Sequence, residues 1–442
     1  MPMPPSPSMS PREQTFGWMT RPYELLARCR QEVGDVFTID FRGHGQYVLF
    51  SDPEHIHQIL TGDPAVFHAA NGLLEPFLGA HSLLLLEEER HKRERRLMMP
   101  HFSRRQIHGW GDQIEEVADR MIDGWRVGEE MPMRETAQSV ALGLIDRLVF
   151  GLDGEANHDR HDALHRCFDE ILSHPHFNIA LIGQFGERLA GSPAWQQLQE
   201  SLAEMDRLVR EEIAERRATG RRGDDIMSLL MDAEYEDGES LSDDELRDEL
   251  VTLLATGHET TATSLAWAVH WVWSHPPVLE RLRAELATLG PDASPSQIAE
   301  LDYLQSVVLE TLRINPVVPI IARELQEPVQ IAGYELPAGV TVAPVIYLLH
   351  RREDLYDEPG QFRPSRFLER DYKHNEFMPF GGGVRRCLGM HLALYELQIL
   401  LARIATRVEL RLCDEEEVRP VRRMVTIAPS GGVRFEVERV GA

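Results

Sequence analysis

One cysteine of this chain stands in a setting suited to metal chemistry. Residues 380–389 read Phe-Gly-Gly-Gly-Val-Arg-Arg-Cys-Leu-Gly, and Cys387 directly precedes the apolar helical pattern Leu388–Val408. A sulfur at a helix N-terminus meets unpaired N–H groups and the positive end of the dipole, and both favour a thiolate. Gly381, Gly382 and Gly383 let the backbone turn tightly around that sulfur. The run predicts an anionic sulfur ligand for a metal. On these residues alone, a phosphate-binding loop and a plain loop with a small buried thiol stay open.

A second polar group, Thr256-Gly257-His258-Glu259-Thr260-Thr261, interrupts an apolar stretch. A carboxylate there is costly unless it is paired or relays protons. Gly257, together with a bond from Thr260 to the carbonyl of Thr256, predicts local bending of the helix. Glu310 and Arg313 stand at i,i+3 on another helix, a spacing that alone means little. His91 and Arg95, at i,i+4, share a helix face and can converge on an anion. They lie in a basic run with Arg90, Lys92, Arg93, Arg96, Arg104 and Arg105.

The elements that must position these groups are mostly helices. Ser242-Asp243-Asp244-Glu245 is a capping box, and the pattern it opens meets no proline until Pro276. That helix, about 33 residues, would span roughly 50 Å and cross a whole domain. Arg21–Val33 is helical, Val36–Asp40 and Tyr47–Phe50 form a hairpin through Gly43-His44-Gly45, and Pro53 starts a helix. Ala65–Ser82 reads as a loop over a pocket. Glu87 to about Arg217 is mainly helical, with breaks near Gly128, Gly154 and His174-Pro175. Strands return at Val329–Ile331, Val340–Val345 and Val425–Val437, the last broken at Ser430-Gly431-Gly432. The expected class is mainly α with small β-sheets. Residues 1–15 are expected to be a disordered tail, and 16–442 a single domain.

With 442 residues, 43% of them apolar, the chain can bury a large core, and no repeat of solenoid length occurs. Cys29, Cys167, Cys387 and Cys413 fit neither a disulfide framework nor a paired zinc site, which suits a reducing compartment. A net charge of -26 disfavours nucleic-acid binding. No apolar segment follows the start, and Leu265–Trp273 is too short to span a bilayer. A cytoplasmic, unanchored monomer is expected.

Phe380, Gly381, Gly383, Arg385, Cys387 and Gly389 stand at the spacing of the cysteine loop of the cytochrome P450 family, which the chain resembles from about Glu87 to Gly432. The resemblance implies that family's fold, with a long central helix over haem b, and Cys387 as the iron ligand. Phe380, Arg385 and Gly389 would belong to the cofactor-binding loop, and His91, Arg95, Arg323 and Arg385 would hold the propionates. Glu259 and Thr260 would be the acid-alcohol pair that delivers protons during oxygen activation. Arg366, in a segment like the family's meander (Pro359, Phe362, Pro364, Arg366, Phe367), would join Glu310 and Arg313 in a buried triad that braces the cysteine loop. Thr256 departs from the family's usual Ala or Gly, predicting a narrower pocket or an added polar contact.

By the same resemblance Leu74, Phe77, Ala255, Thr256, Val318, Ile320, Ile321 and Ile427 would line the substrate pocket. Lys92, Arg93, Arg96, Arg104 and Arg386 would dock an acidic electron donor. The implied activity is insertion of one oxygen atom from O2 into an apolar molecule of fatty acid, terpenoid or steroid type. No flavin or iron-sulfur module fits in the remaining length, so electrons would come from a ferredoxin or flavodoxin with an NAD(P)H reductase. The rivals are a haem-thiolate peroxygenase or isomerase, which the presence of both Glu259 and Thr260 disfavours, and a haem protein that only binds or senses a ligand.

Overall fold

The computed structural model describes residues 3–43, 45–151, 158–173, 192–290, 293–413, 417–423 and 425–441. The breaks expected at Gly154 and at His174-Pro175 lie outside these residues. Mainly helical architecture with small sheets is what the sequence predicts and what is found.

The central helix runs from Asp243 to Trp273, 31 residues, opened by the expected capping box between Ser242 and Glu245. It stays helical through Gly257. A Cβ on Gly257 would lie 2.6 Å from Ile145 Cδ1, so this glycine serves close packing against the helix Met133–Phe150. Arg407 ends a second long helix, Met390–Arg407, which begins just after the cysteine loop and packs on the central helix.

The largest sheet has five strands in the order Val36–Phe41, Gly45–Phe50, Thr341–Pro344, Arg323–Leu325, Phe67–Ala69. Its second and third strands run parallel; the other pairs are antiparallel. A three-stranded sheet joins Glu130–Pro132, Arg434–Val440 and Val408–Leu412, and two hairpins complete the set. One of them, Pro420–Arg423 with Thr426–Pro429, reaches the central helix.

Two expectations are corrected. The segment expected to be a disordered tail is built into the sheet from Met3 onward: the carbonyls of Pro4 and Pro5 accept from Thr38 Oγ1 and N at 2.9 and 2.8 Å. Pro11–Thr20 is helical, started by a capping box of Ser10 and Glu13 and by proline at its first position. Proline lacks an N–H donor, but its carbonyl still accepts. The loop Ala65–Ser82 contains a strand and two helical turns, and it is tied to the central helix by His81 N to Asp248 (2.9 Å) and Thr252 to Ser82 (2.7 Å). Among the described residues, no helix is long and apolar enough to cross a membrane.

Candidate active site

Glycines shape the cysteine loop as expected. Gly383 has φ +67°, and a Cβ there would stand 1.7 Å from the carbonyl oxygen of Leu60, so only glycine lets the loop seat on the helix Pro53–Thr61. The loop closes through Cys387 N to the Phe380 carbonyl at 3.0 Å. Cys387 presents accessible surface, yet burial in the surrounding protein pushes its thiol above the ordinary value. The Gly389 N–H, then Arg95 and Arg386, oppose that shift without cancelling it. The helix begins only at Met390, so its terminus does not by itself make a thiolate, as the sequence had suggested. A coordinated metal cation would, because it deprotonates a thiol outright.

Beside this sulfur lies an excess of buried positive charge. His91 and Arg323 are 5% and 7% exposed. Arg95 donates to the Arg386 carbonyl at 2.6 Å and Arg323 to the Ala322 carbonyl at 2.9 Å, and neither has a carboxylate partner among the described residues. Arg385 pairs with Glu87, the one counter-charge in the group. Burial, then Arg385, Arg95 and Arg323, pull His91 down to about 4. Burial and Arg385 likewise pull Arg323 down to about 10, with Glu87 opposing. Three guanidiniums and an imidazole facing one carboxylate make a cradle for a dianion, and the two propionates of haem fit it.

That frustration predicts a pH effect. An imidazole whose folded value lies below its unfolded value of about 6.5 adds stability above pH 6.5 and loses it as pH falls toward 4. The haem-free protein is expected to lose about 2–3 kcal/mol over that window from this group. Urea melts of wild type and His91→Gln at pH 7 and pH 5 check it. An identical pH dependence in the variant would refute it.

The middle of the central helix carries a stripe of hydroxyls at i,i+4: Thr252, Thr256, Thr260 and Ser264, each donating to the carbonyl four residues back at 2.6–2.8 Å. Thr260 bonds to Thr256 as expected. The Thr256 hydroxyl is turned onto the Thr252 carbonyl, which occupies its proton within the helix. Glu259 and Thr260 do not hydrogen-bond to each other. The Glu259 carboxylate accepts from Arg134 and Gln138 at 2.8 Å each, and from Thr263 and Thr426 at 3.3 Å. None of these partners was identified from sequence. Nor was Glu396, on the helix Met390–Arg407, which accepts from Thr261 at 3.4 Å and is pushed up to about 8 by burial.

The triad assembles as predicted, with Glu310 and Arg313 fully buried and Arg366 nearly so. Arg313 reaches Glu310 at 2.6 and 2.8 Å, and Arg366 reaches it at 3.0 Å. Arg313 also donates to the carbonyls of His350, Pro359 and Gln361. His350, missed from sequence, extends the chain: its Nε2 accepts from Met378 N at 3.0 Å, two residues before the cysteine loop. Burial and then Arg313 hold its imidazole well below the ordinary value, so it is the neutral acceptor this bond requires.

Two groups of residues differ from expectation. Arg93 pairs with Asp237 and Glu239 at 3.0 and 2.9 Å, Arg96 with Glu236 at 2.7 Å, and Lys92 with Glu89 at 3.2 Å. An acidic turn of the chain itself thus neutralises Arg93 and Arg96. Arg104 and Arg386 instead act together on His391, and Val384, two positions before Arg386, is exposed. Of the predicted pocket lining, Leu74, Ala255, Thr256, Val318, Ile320 and Ile321 keep accessible surface. Phe77 and Ile427 are closed into the core, Phe77 edge-on to Phe168 and Ile427 held by N to the Val317 carbonyl at 2.8 Å.

Comparison with known proteins agrees with this geometry. The sequence model of the family described as Cytochrome P450 matches residues 4–434. The chain is 37% identical to "Putative cytochrome P450 135B1" of Mycobacterium bovis, over 99% of this chain and 92% of that one. It is 32% identical to "Putative cytochrome P450 137" of Mycobacterium tuberculosis, over 92% and 84%. The solved structure described as "Retinoic acid bound cyanobacterial CYP120A1" superposes with a TM-score of 0.88 over 100% of both chains at 21% identity, a likeness of fold. A cysteine loop under a long hydroxyl-bearing helix, a cradle for two carboxylates and relatives matched over nearly their whole length have one common explanation: the chain belongs to the cytochrome P450 family and is a haem b-dependent monooxygenase.

Proposed function

We propose that Cys387 is the iron ligand and that the enzyme oxidises elongated apolar molecules of fatty acid, terpenoid or steroid type. The observation that carries this reading is the accessible but desolvated Cys387 thiol beside a buried cation cluster with a single counter-charge. His91, Arg95, Arg323 and Arg385 take the propionate charges, while Phe380 and Gly389 shape the loop and the Gly389 N–H steadies the sulfur. Bound haem supplies dioxygen activation and the transfer of one oxygen atom to the substrate.

Thr260 holds a proton at its hydroxyl, which in the resting arrangement is committed to the Thr256 carbonyl. Glu259 passes protons toward it only after giving up contacts to Arg134 and Gln138, so opening of that pair gates proton entry. A peroxygenase or a sensor has no use for this arrangement. Ala255, Val318 and Ile321 keep accessible apolar surface for such a substrate. The core cluster that reaches from Phe77 to Val437 supports a single domain, and the free cysteines suit the cytoplasm.

Electrons come from a separate acidic ferredoxin or flavodoxin served by an NAD(P)H reductase, docking at Arg104 and Arg386, which stand together beside His391. Arg104→Glu is expected to raise KM for a surrogate acidic ferredoxin about tenfold at low salt and to flatten its salt dependence. Arg93→Glu should change these far less, since its charge is already spent on Asp237 and Glu239. Equal effects of the two variants would refute the assignment. The ligand assignment is tested by reducing the purified protein under carbon monoxide. Absorption at the long-wavelength position of thiolate-ligated haem is expected, and absorption at the imidazole-ligated position would overturn it.

A further inference from the structure

Glu87 directly precedes the helix Glu88–Met98 and is tied to three separate pieces of chain. Its carboxylate pairs with Arg385 of the cysteine loop, and the other oxygen accepts from Ala69 N at 2.8 Å. Ala69 stands directly across from Arg323 in the five-stranded sheet. The Glu87 carbonyl accepts from His91 N at 3.0 Å, and Arg95 follows one turn later on the same helix. Arg385 also donates to the Leu86 carbonyl. One residue therefore touches, through side chain or backbone, every segment that supplies His91, Arg95, Arg323 and Arg385.

Glu87-Glu88-Glu89 has the look of an exposed acidic run at a helix N-terminus, where the dipole favours carboxylates. Only Glu87 turns inward; Glu88 and Glu89 are exposed. Between the two directions Glu88 takes φ +47°, a left-handed conformation that persists in a side-chain-bearing residue only where the surroundings over-determine it. The contacts that do so here are Glu87 to Arg385 and Ala69, and Glu88 to His68 at 3.1 Å. The charge count is equally specific. Burial and then its cationic neighbours keep His91 neutral at pH 7, so three guanidiniums less one carboxylate leave +2. Burial lowers Arg385, burial and Arg385 lower Arg323, and Glu87 opposes both shifts. Without Glu87 the cradle would carry +3 against two propionates.

We propose that Glu87 is a positioning residue for the haem edge: it draws the propionate cradle together from three pieces of chain and trims its charge to what two propionates neutralise, which holds the reduction potential of the bound cofactor down. This rests on the propionate assignment above and deepens it by naming the group that sets the charge there. A fixed negative charge beside the cofactor disfavours an added electron, and a neutral group in its place does not.

The test is a redox titration of the haem-loaded protein. Glu87→Gln keeps an oxygen for Ala69 N and drops the charge, and it is expected to move the one-electron equilibrium about tenfold toward the reduced form, a rise of roughly 59 mV. Glu88→Gln, which removes the neighbouring exposed charge, should shift it far less. Glu87→Ala loses the contacts as well, and should release haem to excess apomyoglobin about tenfold faster than wild type, with Glu87→Gln between. A potential in Glu87→Gln equal to that of wild type, equal shifts in Glu87→Gln and Glu88→Gln, or unchanged haem release from Glu87→Ala overturns the proposal. If Glu87→Ala does not fold, the potential of Glu87→Gln decides. Any of these failures in a protein with a normal carbon monoxide complex defeats the role of Glu87 alone. An absent carbon monoxide complex in wild type defeats the monooxygenase reading and this role with it.

Discussion

Cys387→Ser is expected to reduce turnover to background while leaving a folded protein. The side chain presents accessible surface and a hydroxyl is of nearly the same size, so its stability change should stay within about 0.5 kcal/mol. What it loses is an atom that can be anionic at neutral pH: burial already pushes the thiol up, and an alcohol under the same burial stays protonated. On the proposed assignment, bound haem would then be held without a thiolate, and would lack the electron density that a thiolate supplies for O–O cleavage. The measurements are far-UV circular dichroism, the spectrum of the reduced carbon monoxide complex, and turnover with surrogate donors. A serine variant that kept the long-wavelength band would remove Cys387 from the centre of the mechanism.

Much of this site was legible because its signals are local. The central helix announces its start with a capping box, and its middle with an acid and alcohols in an apolar run. The loop needs glycine at Gly383 because φ is positive and the Leu60 carbonyl is close, so the requirement is written at the position itself. What was not legible depends on residues far away in sequence. Glu259 meets Arg134 from 125 positions earlier, and Arg96 is neutralised by Glu236, 140 positions later. No spacing rule encodes such pairs. The packing role of Gly257 is hidden for the same reason: it accommodates Ile145 of another helix, which periodicity cannot reveal. Strands of three residues, such as Arg323–Leu325 and Tyr334–Leu336, are too short to display an alternation. The N-terminal segment has the composition of a disordered tail, yet its carbonyls complete the edge of the sheet at Thr38.

Glu310→Ala should produce the largest loss of stability among these variants. Both carboxylate oxygens are buried and engaged, by Arg313, by Arg366 and by the Arg363 N–H at 2.8 Å. Removing the carboxylate leaves two buried guanidiniums without a counter-charge, which costs about 3–5 kcal/mol. That is a large part of a typical net stability of about 5–15 kcal/mol. The damage is directional as well as energetic. Arg313 holds the carbonyls of His350, Pro359 and Gln361, and His350 in turn holds Met378 at the entry to the cysteine loop. Relaxation of Arg313 therefore reaches Cys387 along a chain of named hydrogen bonds. Haem retention should fall more steeply than helix content, and Glu310→Gln, which keeps one acceptor but no charge, should lie between. The variants are compared by haem-to-protein absorbance ratio and by thermal melting. If Glu310→Ala retained haem and melted with wild type, the triad would be an incidental cluster, and the bracing of the loop would have to come from glycine geometry alone.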